Sequence, residues 1–265
     1  MTLRDDLGRA VTIPRPARRV VSLTPATTEN LFAIGAGPVV VGVTNMDNFP
    51  DAVKSLPRVA DLGYPSYERL LALKPDLIVL DSATIVKAEV DKLAAKIRCP
   101  VFVQRSQKMA DVPRHLEELG RLTGREREAR TEAGKFRRAV EIVRKRVAGK
   151  PRPTVFVEVS DTPLYAAGAS SFVGDVALQA GGVNVVTEGG PFPVVSKELL
   201  LTKNPAHYVI AVGKLGGPKH TFSPPLDRLA AARTGQVHEI LADTLFRPTP
   251  RLLGGLTALA AALHP

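Results

Sequence analysis

Two glutamates occupy the same place in a segment that occurs once in each half of the chain. The pattern S-x-E-x-L-x-x-x-x-P spans residues 66–75, with Glu68, and returns at residues 196–205, with Glu198, at an offset of 130. An apolar, strand-like run follows each copy, LIVL in the first and YVIAV in the second. This repetition indicates an internal duplication. Two carboxylates at matched positions would suit a partner that presents basic groups with the same symmetry.

The same residues also have a purely local explanation. Each glutamate lies near the start of a short predicted helix, where the helix dipole favours a carboxylate. Ser66 and Ser196 would then cap those two helices. Capping explains an acid near each helix start but not its recurrence at one position in both halves, so both interpretations stay open.

Several kinds of catalytic or metal site have no support in the sequence. Neither phosphate-loop pattern occurs, and the G-x-S-x-G turn of hydrolases is missing. All five histidines lie at or after residue 115, and no two have i, i+4 spacing, so a metal site with imidazoles from both halves is not predicted. Cys99 is the only cysteine, and its apolar surroundings, IRCPVFV, predict a buried thiol rather than a nucleophile.

Residues suited to solute binding fall in predicted loops between strand ends and helix starts, where open α/β sheets bind ligands. Aromatic residues are only 5% of the chain, yet several lie in the turn-rich loops LYAAG, GGPFPVVS and HTFSPP. Aromatic side chains in these loops could form the walls of a site for a flat, apolar ligand. The alternative is that each side chain anchors its own loop to the unit that carries it. The candidates are Thr24, Pro25, Met46, Asp47, Phe49 and Tyr64 in the first half, and Tyr165, Phe192, Phe222 and Arg247 in the second.

The elements that must position these residues alternate in type along the first half. Strands are predicted at RRVVSLTP, VVVGVT, DLIVLD and CPVFVQR. Helices are predicted between them at TENLFAIGAG, PSYERLLAL and TIVKAEVDKLAAKI. Continuous Val, Ile and Leu runs separated by helices predict a parallel sheet that is covered on both faces.

The middle of the chain has no strand signal from about residue 111 to 148. Residues 124–149 predict one polar helix of roughly 24 residues, a length and polarity suited to bridging domains. The second half then resumes the alternation. Its predicted strands are TVFVEV, VNVVTE, HYVIAVG and QVHEIL, and its predicted helices are SFVGDVALQAGG, SKELLLTKNP, PLDRLAAAR and TPRLLGGLTALAAALH.

The net charge of +10 is concentrated in the middle of the chain. Residues 121–152 hold twelve Lys or Arg against four Glu, which accounts for +8. Acids three to four residues from the bases indicate a solvated helix face, and nucleic-acid binding is the alternative. No apolar run approaches the roughly 18 residues of a membrane span, and neither a signal peptide nor a lipid anchor is visible.

Over nearly its whole length the chain resembles the periplasmic solute-binding proteins of cobalamin and ferric-siderophore ABC importers. The resemblance is carried by RRVVSLTPATTENLFAIGAG, VGVTNMDNFPDAV, YERLLALKPDLIVL, VVSKELLLTKNP and LFRPTPRLLGGLTALAAALHP, together with the helical middle. It implies an α/β fold with two Rossmann-like lobes, each with a central parallel sheet, joined by one long linker helix. We therefore expect an N-terminal lobe at 1–108, a helical linker at 109–149 and a C-terminal lobe at 150–265.

The resemblance also implies roles for the two glutamates and for four loops. In that family one glutamate per lobe docks into arginine pockets on the two copies of the permease, and Glu68 and Glu198 match those positions. Ligand-facing aromatics of the cobalamin binders, the members with the closest pattern, come from loops matching TNMDNFP, DLGYP, TPLYAAG and GGPFPVVS. Tyr165 and Phe192 keep an aromatic there.

The first-half loops depart from the cobalamin binders. Met46 and Leu62 stand where those proteins have Tyr and Trp, and Tyr64 is a neighbouring substitute. Gly63-Tyr64 is similar to the GY motif that carries the Tyr ligand of heme-binding relatives, although Glu68 follows sooner than in them. Arg247 lies in FRPTPR, which resembles the ligand-proximal C-terminal loop, and could bind an anionic group of the ligand.

We predict a solute-binding component of an ABC importer that captures a corrinoid, cobalamin or cobinamide, between two lobes and delivers it to the permease dimer. A ferric-siderophore or heme-binding protein of the same superfamily is the alternative, and a nucleic-acid-binding protein is a more distant one. We expect no enzyme activity, no cofactor and no metal held by protein ligands, since a metal-cluster enzyme would need cysteines besides Cys99. We expect a monomer with modest lobe motion, in the periplasm or cell envelope, whose only membrane contact is with the permease.

Overall fold

The computed structural model describes residues 1–61, 64–82, 84–216 and 222–265, and at residues 61 and 64 it describes the backbone alone. The chain forms two compact units. The first comprises Met1–Arg137 and Pro248–Pro250, and the second comprises Arg138–Arg247 and Arg251–Pro265. The three-part division at 1–108, 109–149 and 150–265 stays a prediction.

The first unit is built on parallel strands. Its strands are β1 (Thr2–Arg4), β2 (Ala10–Thr12), β3 (Val20–Ser22), β4 (Val40–Thr44), β5 (Arg58–Asp61), β6 (Tyr64–Pro65), β7 (Leu77–Asp81) and β8 (Val101–Gln104). β1 and β2 form a separate antiparallel hairpin, and the others form one sheet in the order β6-β5-β4-β3-β7-β8. Every neighbouring pair in this sheet is parallel except β5 with β6. Parallel strands bring their carboxyl ends to one edge, and that edge is where ligand loops are expected.

Helices join the strands of the first unit and bury its core. They are α1 (Pro25–Ala33), α2 (Tyr67–Leu73), α3 (Lys87–Ile97), α4 (Asp111–Thr123) and the first half of α5 (Glu126–Val147). Ile78 and Val101 of the sheet are buried in one cluster with Leu70 of α2 and with Val90 and Leu93 of α3. Cys99 belongs to the same cluster, and burial raises the pKa of its thiol to about 12. The predicted buried thiol is therefore confirmed.

The long helix predicted for the middle of the chain is present as α5. It has 22 residues and is about 33 Å long at 1.5 Å per residue. Its first turn is acidic, and its last turn is basic, which complements the helix dipole at both ends. Phe136 and Val140 lie four residues apart on its buried side, whereas Arg138 is exposed. The boundary between the two units falls within α5, after Arg137.

The second unit repeats the α/β arrangement. Its elements after α5 are β9 (Thr154–Asp161), β10 (Leu164–Ala166), α6 (Phe172–Gln179), β11 (Val183–Asn184), α7 (Lys197–Lys203), β12 (His207–Val212), α8 (Ala230–Arg233), β13 (Val237–Leu241), α9 (Ala242–Phe246) and α10 (Leu252–Leu263). The sheet order is β10-β9-β12-β13, and β11 also pairs with β9. β10 alone is antiparallel to its neighbour. The predicted α/β class with parallel sheets is confirmed.

The short elements β5, β6, β10 and α9 have no counterpart in the sequence-based prediction, and three further segments differ from it. The predicted strand VNVVTE shortens to β11, because the Asn184 side chain accepts from the Val186 amide and turns the chain. The predicted helix PLDRLAAAR divides into a 3₁₀ turn and α8 around Leu229, whose extended backbone buries its side chain completely. The β1–β2 hairpin was not predicted. Asp5 shapes its turn by accepting from the amides of Leu7 and Arg9.

Candidate functional site

The loop after β4 presents apolar side chains at the carboxyl edge of the first unit. The Asp47 carboxylate accepts from the Thr44 amide at 2.8 Å and from the Thr44 hydroxyl at 2.6 Å, which closes the turn. The Arg58 guanidinium donates to the carbonyls of Thr44 and Asp47. These bonds fix a turn that leaves Met46 55% and Phe49 43% exposed. Both side chains therefore expose part of their surface at this edge.

Two other first-half candidates cannot be placed by their side chains. Leu62 lies outside the described residues. Tyr64 is described by its backbone, which pairs with Asp61 as part of β6. The predicted ligand contacts of Leu62 and Tyr64 stay predictions.

Tyr165 and Phe192 lie on adjacent segments at the corresponding edge of the second unit. Residues 191–195 run antiparallel beside β10, with the Ala166 amide donating to the Pro193 carbonyl at 3.1 Å and the Val195 amide donating to the Leu164 carbonyl at 2.9 Å. Leu164 and Val195 point into the core, while Tyr165 and Phe192 are 38% and 47% exposed. The pairing thus brings two predicted ligand aromatics onto one short, backbone-bonded ribbon.

A glycine makes this pairing possible. The Gly168 amide donates to the Pro191 carbonyl at 2.9 Å. A Cβ at Gly168 would lie 2.5 Å from the carbonyl oxygen of Gly190. Because real Cβ atoms do not approach that closely, a larger residue at 168 would push the 190–195 segment away from β10.

Phe222 and Arg247 have partners within the second unit. The Phe222 ring packs edge-on against Tyr208, with 4.7 Å between ring centroids and 65° between planes. The Arg247 guanidinium pairs with Asp243 at 2.9 Å and is 14% exposed. Phe222 therefore has a packing role and Arg247 a charged partner, with which an anionic ligand group would have to compete. Their predicted ligand contacts stay predictions.

The two repeated segments form matching capped helices. The Ser66 hydroxyl accepts from the Arg69 amide at the start of α2, and the Ser196 hydroxyl accepts from the Leu199 amide at the start of α7. Both helices have seven residues and end on a residue with positive φ, Lys74 in one case and Asn204 in the other. The equivalent leucines at 70 and 200 are both buried. The duplication seen in the sequence is thus a duplication of local structure.

The glutamates of these helices are exposed and lie in the first turn. Glu68 follows the Ser66 cap by two residues, and Glu198 follows the Ser196 cap by two residues. Hydrogen bonds from its own main-chain amide and from the Ser196 hydroxyl lower the pKa of Glu198. Each unit therefore displays one carboxylate from the same position of the same local fold.

One exposed residue of the predicted ligand edge was missed in the sequence. Val194 is 58% exposed and forms an isolated bridge with Tyr165, so it extends the apolar face of the ribbon. Its only signal was the alternation in PFPVVS, which indicates an extended segment with one outward face. Within the described ranges, no group of three or more His, Cys, Asp or Glu is placed to hold a metal ion.

Comparison with known proteins assigns the chain to a family. Residues 20–244 match the family model described as periplasmic binding protein. The chain therefore belongs to the periplasmic binding protein family, a family of solute-binding proteins rather than enzymes. None of the described helices combines the length and apolar character that crossing a bilayer would require.

Within this family, the chain is similar to proteins that bind vitamin B12 and to proteins that bind heme. The vitamin B12-binding protein of Vibrio vulnificus is 28% identical over 239 residues, which cover 90% of this chain and 87% of the relative. The crystal structure of the periplasmic vitamin B12 binding protein of Vibrio cholerae matches with a TM-score of 0.86 and 27% identity, over 94% of this chain and 98% of that one. A periplasmic heme binding protein from Pseudomonas aeruginosa matches with a TM-score of 0.82 and 26% identity, over 94% and 93%.

Proposed function

We propose that this protein is the solute-binding component of an ABC importer, that it captures a corrinoid, and that it delivers the corrinoid to the permease. The observation that carries the transport role is the matched pair of exposed glutamates, Glu68 and Glu198, on equivalently capped helices of the two units. A duplicated carboxylate suits a partner with two equivalent basic sites, such as a permease dimer. The protein itself makes and breaks no bond.

The class of ligand is supported by the exposed side chains at the carboxyl edges. Met46 and Phe49 of the first unit, and Tyr165 and Phe192 of the second, expose apolar or aromatic surface in loops fixed by hydrogen bonds. Loops held in this way suit a large ligand with an apolar face, because little backbone entropy is lost on binding. A corrinoid has such a face, and one vitamin B12-binding relative is similar to this chain in sequence and another in fold.

A heme or a ferric siderophore is the second candidate ligand. The fold likeness to a periplasmic heme binding protein at 26% identity favours it. A heme site would need an axial ligand, and Tyr64 is the candidate from the sequence. The two assignments differ in that prediction, since a corrinoid needs no tyrosinate ligand.

Nucleic-acid binding through α5 has little support. Several of its bases already have acidic partners: Arg130 with Glu126, Lys135 with Glu132 and Arg137 with Glu117. Exposed pairs of this kind are typical of a solvated helix face. We infer a monomeric protein of the periplasm or cell envelope, in line with the location of its relatives.

Calorimetric titration of the purified chain tests the ligand assignment. We expect cobalamin or cobinamide to bind one per chain with a Kd below about 10 µM, and hemin and ferric siderophores to bind more weakly. Tight hemin binding that Tyr64→Phe abolishes would instead assign the protein to heme. Failure of all four ligands to bind would refute the proposal.

A further inference from the structure

Four polar side chains of the first unit form a continuous chain of contacts at the carboxyl ends of β7 and β8. His115 Nε2 lies 2.9 Å from Asp6 Oδ2, and His115 Nδ1 lies 3.1 Å from Ser106 Oγ. Ser106 Oγ is in turn hydrogen-bonded to Asp81 Oδ2. These residues, Asp6, His115, Ser106 and Asp81, are called the proton cluster below. They come from the β1–β2 turn, α4, the loop after β8 and the end of β7.

One end of the proton cluster is an ionised carboxylate. Asp6 accepts from both terminal nitrogens of Arg114, at 2.7 and 3.1 Å, and from the Arg105 amide at 2.7 Å. Burial by itself raises the pKa of Asp6, but the hydrogen bonds from His115 and Arg114 outweigh burial and hold that pKa far below its usual range. A carboxylate only accepts hydrogen bonds, so His115 Nε2 must carry a hydrogen.

The remaining two contacts need more hydrogens than the neutral side chains supply. Three contacts in a row require three hydrogens, whereas a neutral imidazole and a serine hydroxyl supply two. With Nε2–H directed at Asp6, the hydroxyl hydrogen of Ser106 can serve His115 Nδ1 or Asp81, but not both. A third hydrogen must therefore sit on His115 Nδ1 or on the Asp81 carboxyl.

Burial makes the form without that hydrogen unfavourable. His115 is completely buried, and the Asp81 side chain is only 10% exposed. Without that hydrogen, either His115 Nδ1 or Asp81 Oδ2 lacks its hydrogen bond, although Asp81 Oδ1 still accepts from the Ser106 amide at 3.1 Å. An unsatisfied buried polar atom of this kind costs about 1–3 kcal/mol. Burial also raises the pKa of Asp81, an effect that the Ser106 hydrogen bond and the His115 charge only partly offset.

The surrounding charges do not replace the missing hydrogen. From α4, Arg114 is shared among Asp6, Asp111 and Glu118. From the loop after β8, the Arg105 guanidinium donates to the Ile85 carbonyl. Gln104 of β8 donates to Glu118 and to the His115 carbonyl rather than to either end of the cluster.

We propose that the proton cluster is a proton-binding site, which at neutral pH holds one proton shared between Asp81 and His115. With this proton in place, the hydrogen bonds of the proton cluster link four elements that are distant in sequence. It also reaches the predicted ligand edge, because the Asp81 amide donates to the Thr24 hydroxyl at 3.0 Å. Loss of the proton would loosen the end of β7 from the loop after β8.

Nuclear magnetic resonance of the full chain observes this proton without any substitution. At pH 7 we expect one of two results: ¹⁵N shifts of His115 with both ring nitrogens protonated, or a single Nε2–H tautomer with a ¹³C carboxyl shift of protonated Asp81. A bare Nδ1 together with an ionised Asp81 at pH 7 would overturn the proposal.

The change in unfolding free energy with pH measures how many more protons the folded chain binds than the unfolded chain. Between pH 7 and 8 the unfolded chain has lost this proton, so stability present at lower pH falls as pH rises. We expect the unfolding equilibrium constant to rise by up to tenfold over that unit. His207 and His238, whose pKa values burial lowers, and Cys99, whose pKa burial raises, add only smaller slopes in this interval, and those slopes are common to the wild type and the variants below.

The substitution Asp81→Asn removes the proposed proton while keeping the contacts of the proton cluster. The asparagine amide can donate to Ser106, whose hydroxyl then serves His115 Nδ1, so all three contacts are made with no added proton. We expect D81N to fold with a flat pH profile between pH 7 and 8, and S106A to be flat as well. The control D91N, on the exposed surface of the same unit, should keep the wild-type slope. An unchanged slope in both D81N and S106A would overturn the proposal.

Discussion

The helices α2 and α7 have the same length, a serine N-cap and an exposed glutamate at the same position. The segments that carry Met46 and Tyr165, by contrast, differ from each other in local structure. Met46 stands in a turn closed by the Asp47 carboxylate, and Tyr165 stands on a strand paired with residues 191–195. A surface that meets two equal sites of a partner has to be duplicated. A surface that surrounds one asymmetric ligand does not.

The two glutamates nevertheless have different neighbours. Beside Glu68 stands Arg69, whose guanidinium donates to the Arg58 carbonyl at 2.9 Å, while beside Glu198 stands Leu199, which is 46% exposed. Each carboxylate nevertheless has one basic neighbour in the chain, Arg69 beside Glu68 and Lys197 beside Glu198, so both charges are partly offset. We therefore expect the two carboxylates to be similar in geometry and in the strength of their contact with a basic partner.

Reversing both charges should have the largest effect. In E68R/E198R two attractive contacts with basic sites of the permease become repulsive, at a cost of several kcal/mol. We expect uptake into permease-containing proteoliposomes to fall by about 100-fold or more, and each single variant, E68R or E198R, to lose less than the double variant. The control E141R, an exposed glutamate of α5, should transport normally. Normal uptake by the double variant would refute the docking role.

Removing the aromatic ribbon should have the next largest effect. Truncating Tyr165 and Phe192 to alanine removes two exposed rings at about 1 kcal/mol or more each, so we expect ligand affinity to weaken about 10- to 100-fold by calorimetry. L178A is the matched control, because Leu178 is equally exposed but lies at the end of α6, where Arg152 binds its carbonyl. If the double variant and L178A bind the ligand with equal affinity, Tyr165 and Phe192 do not contact the ligand and only anchor their own loops.

Truncating Met46 should weaken binding less than truncating the ribbon. A methionine side chain loses more rotamer freedom on binding than a ring held by paired backbone, so its net contribution is smaller. We expect M46A to lose about three- to tenfold in affinity in the same titration. A loss larger than that of the ribbon variant would make the first unit the principal ligand surface.

Removing the caps should have the smallest effect on the protein. S66A and S196A each lose one N-cap, which costs about 1 kcal/mol in denaturant unfolding. In S196A the pKa of Glu198 should also rise towards its usual value, since the Ser196 hydroxyl helps to lower it. A carboxyl titration by NMR checks this shift, and an unchanged Glu198 would show that Ser196 does not hold the carboxylate.

Features that depend on local pattern were predictable from the sequence. The strands β3, β4, β7 and β8, the long helix α5 and the repeat at 66–75 and 196–205 rest on apolar periodicity, capping residues and proline stops within a few residues. The Asp243–Arg247 pair has i, i+4 spacing on α9 and could also have been found in this way.

Features that depend on pairing between distant segments were not predictable. The ribbon joins Tyr165 to Val194 across nearly thirty residues, and the proton cluster joins Asp6 to His115 across more than one hundred. The sequence predicts that Phe222 lies in a loop and faces a ligand. In the structure its ring packs on Tyr208 of β12. Tertiary contacts decide these positions, and a single sequence has no local signal for them.

Ligand affinity measured side by side for the wild type and E68R/E198R tests most directly the division between docking helices and ligand loops. The account predicts that both proteins bind cobalamin or cobinamide with the same Kd, below about 10 µM, because neither carboxylate contacts the ligand. A loss of tenfold or more in the charge-reversal variant, with its fold intact, would place Glu68 and Glu198 in the ligand site and contradict the account.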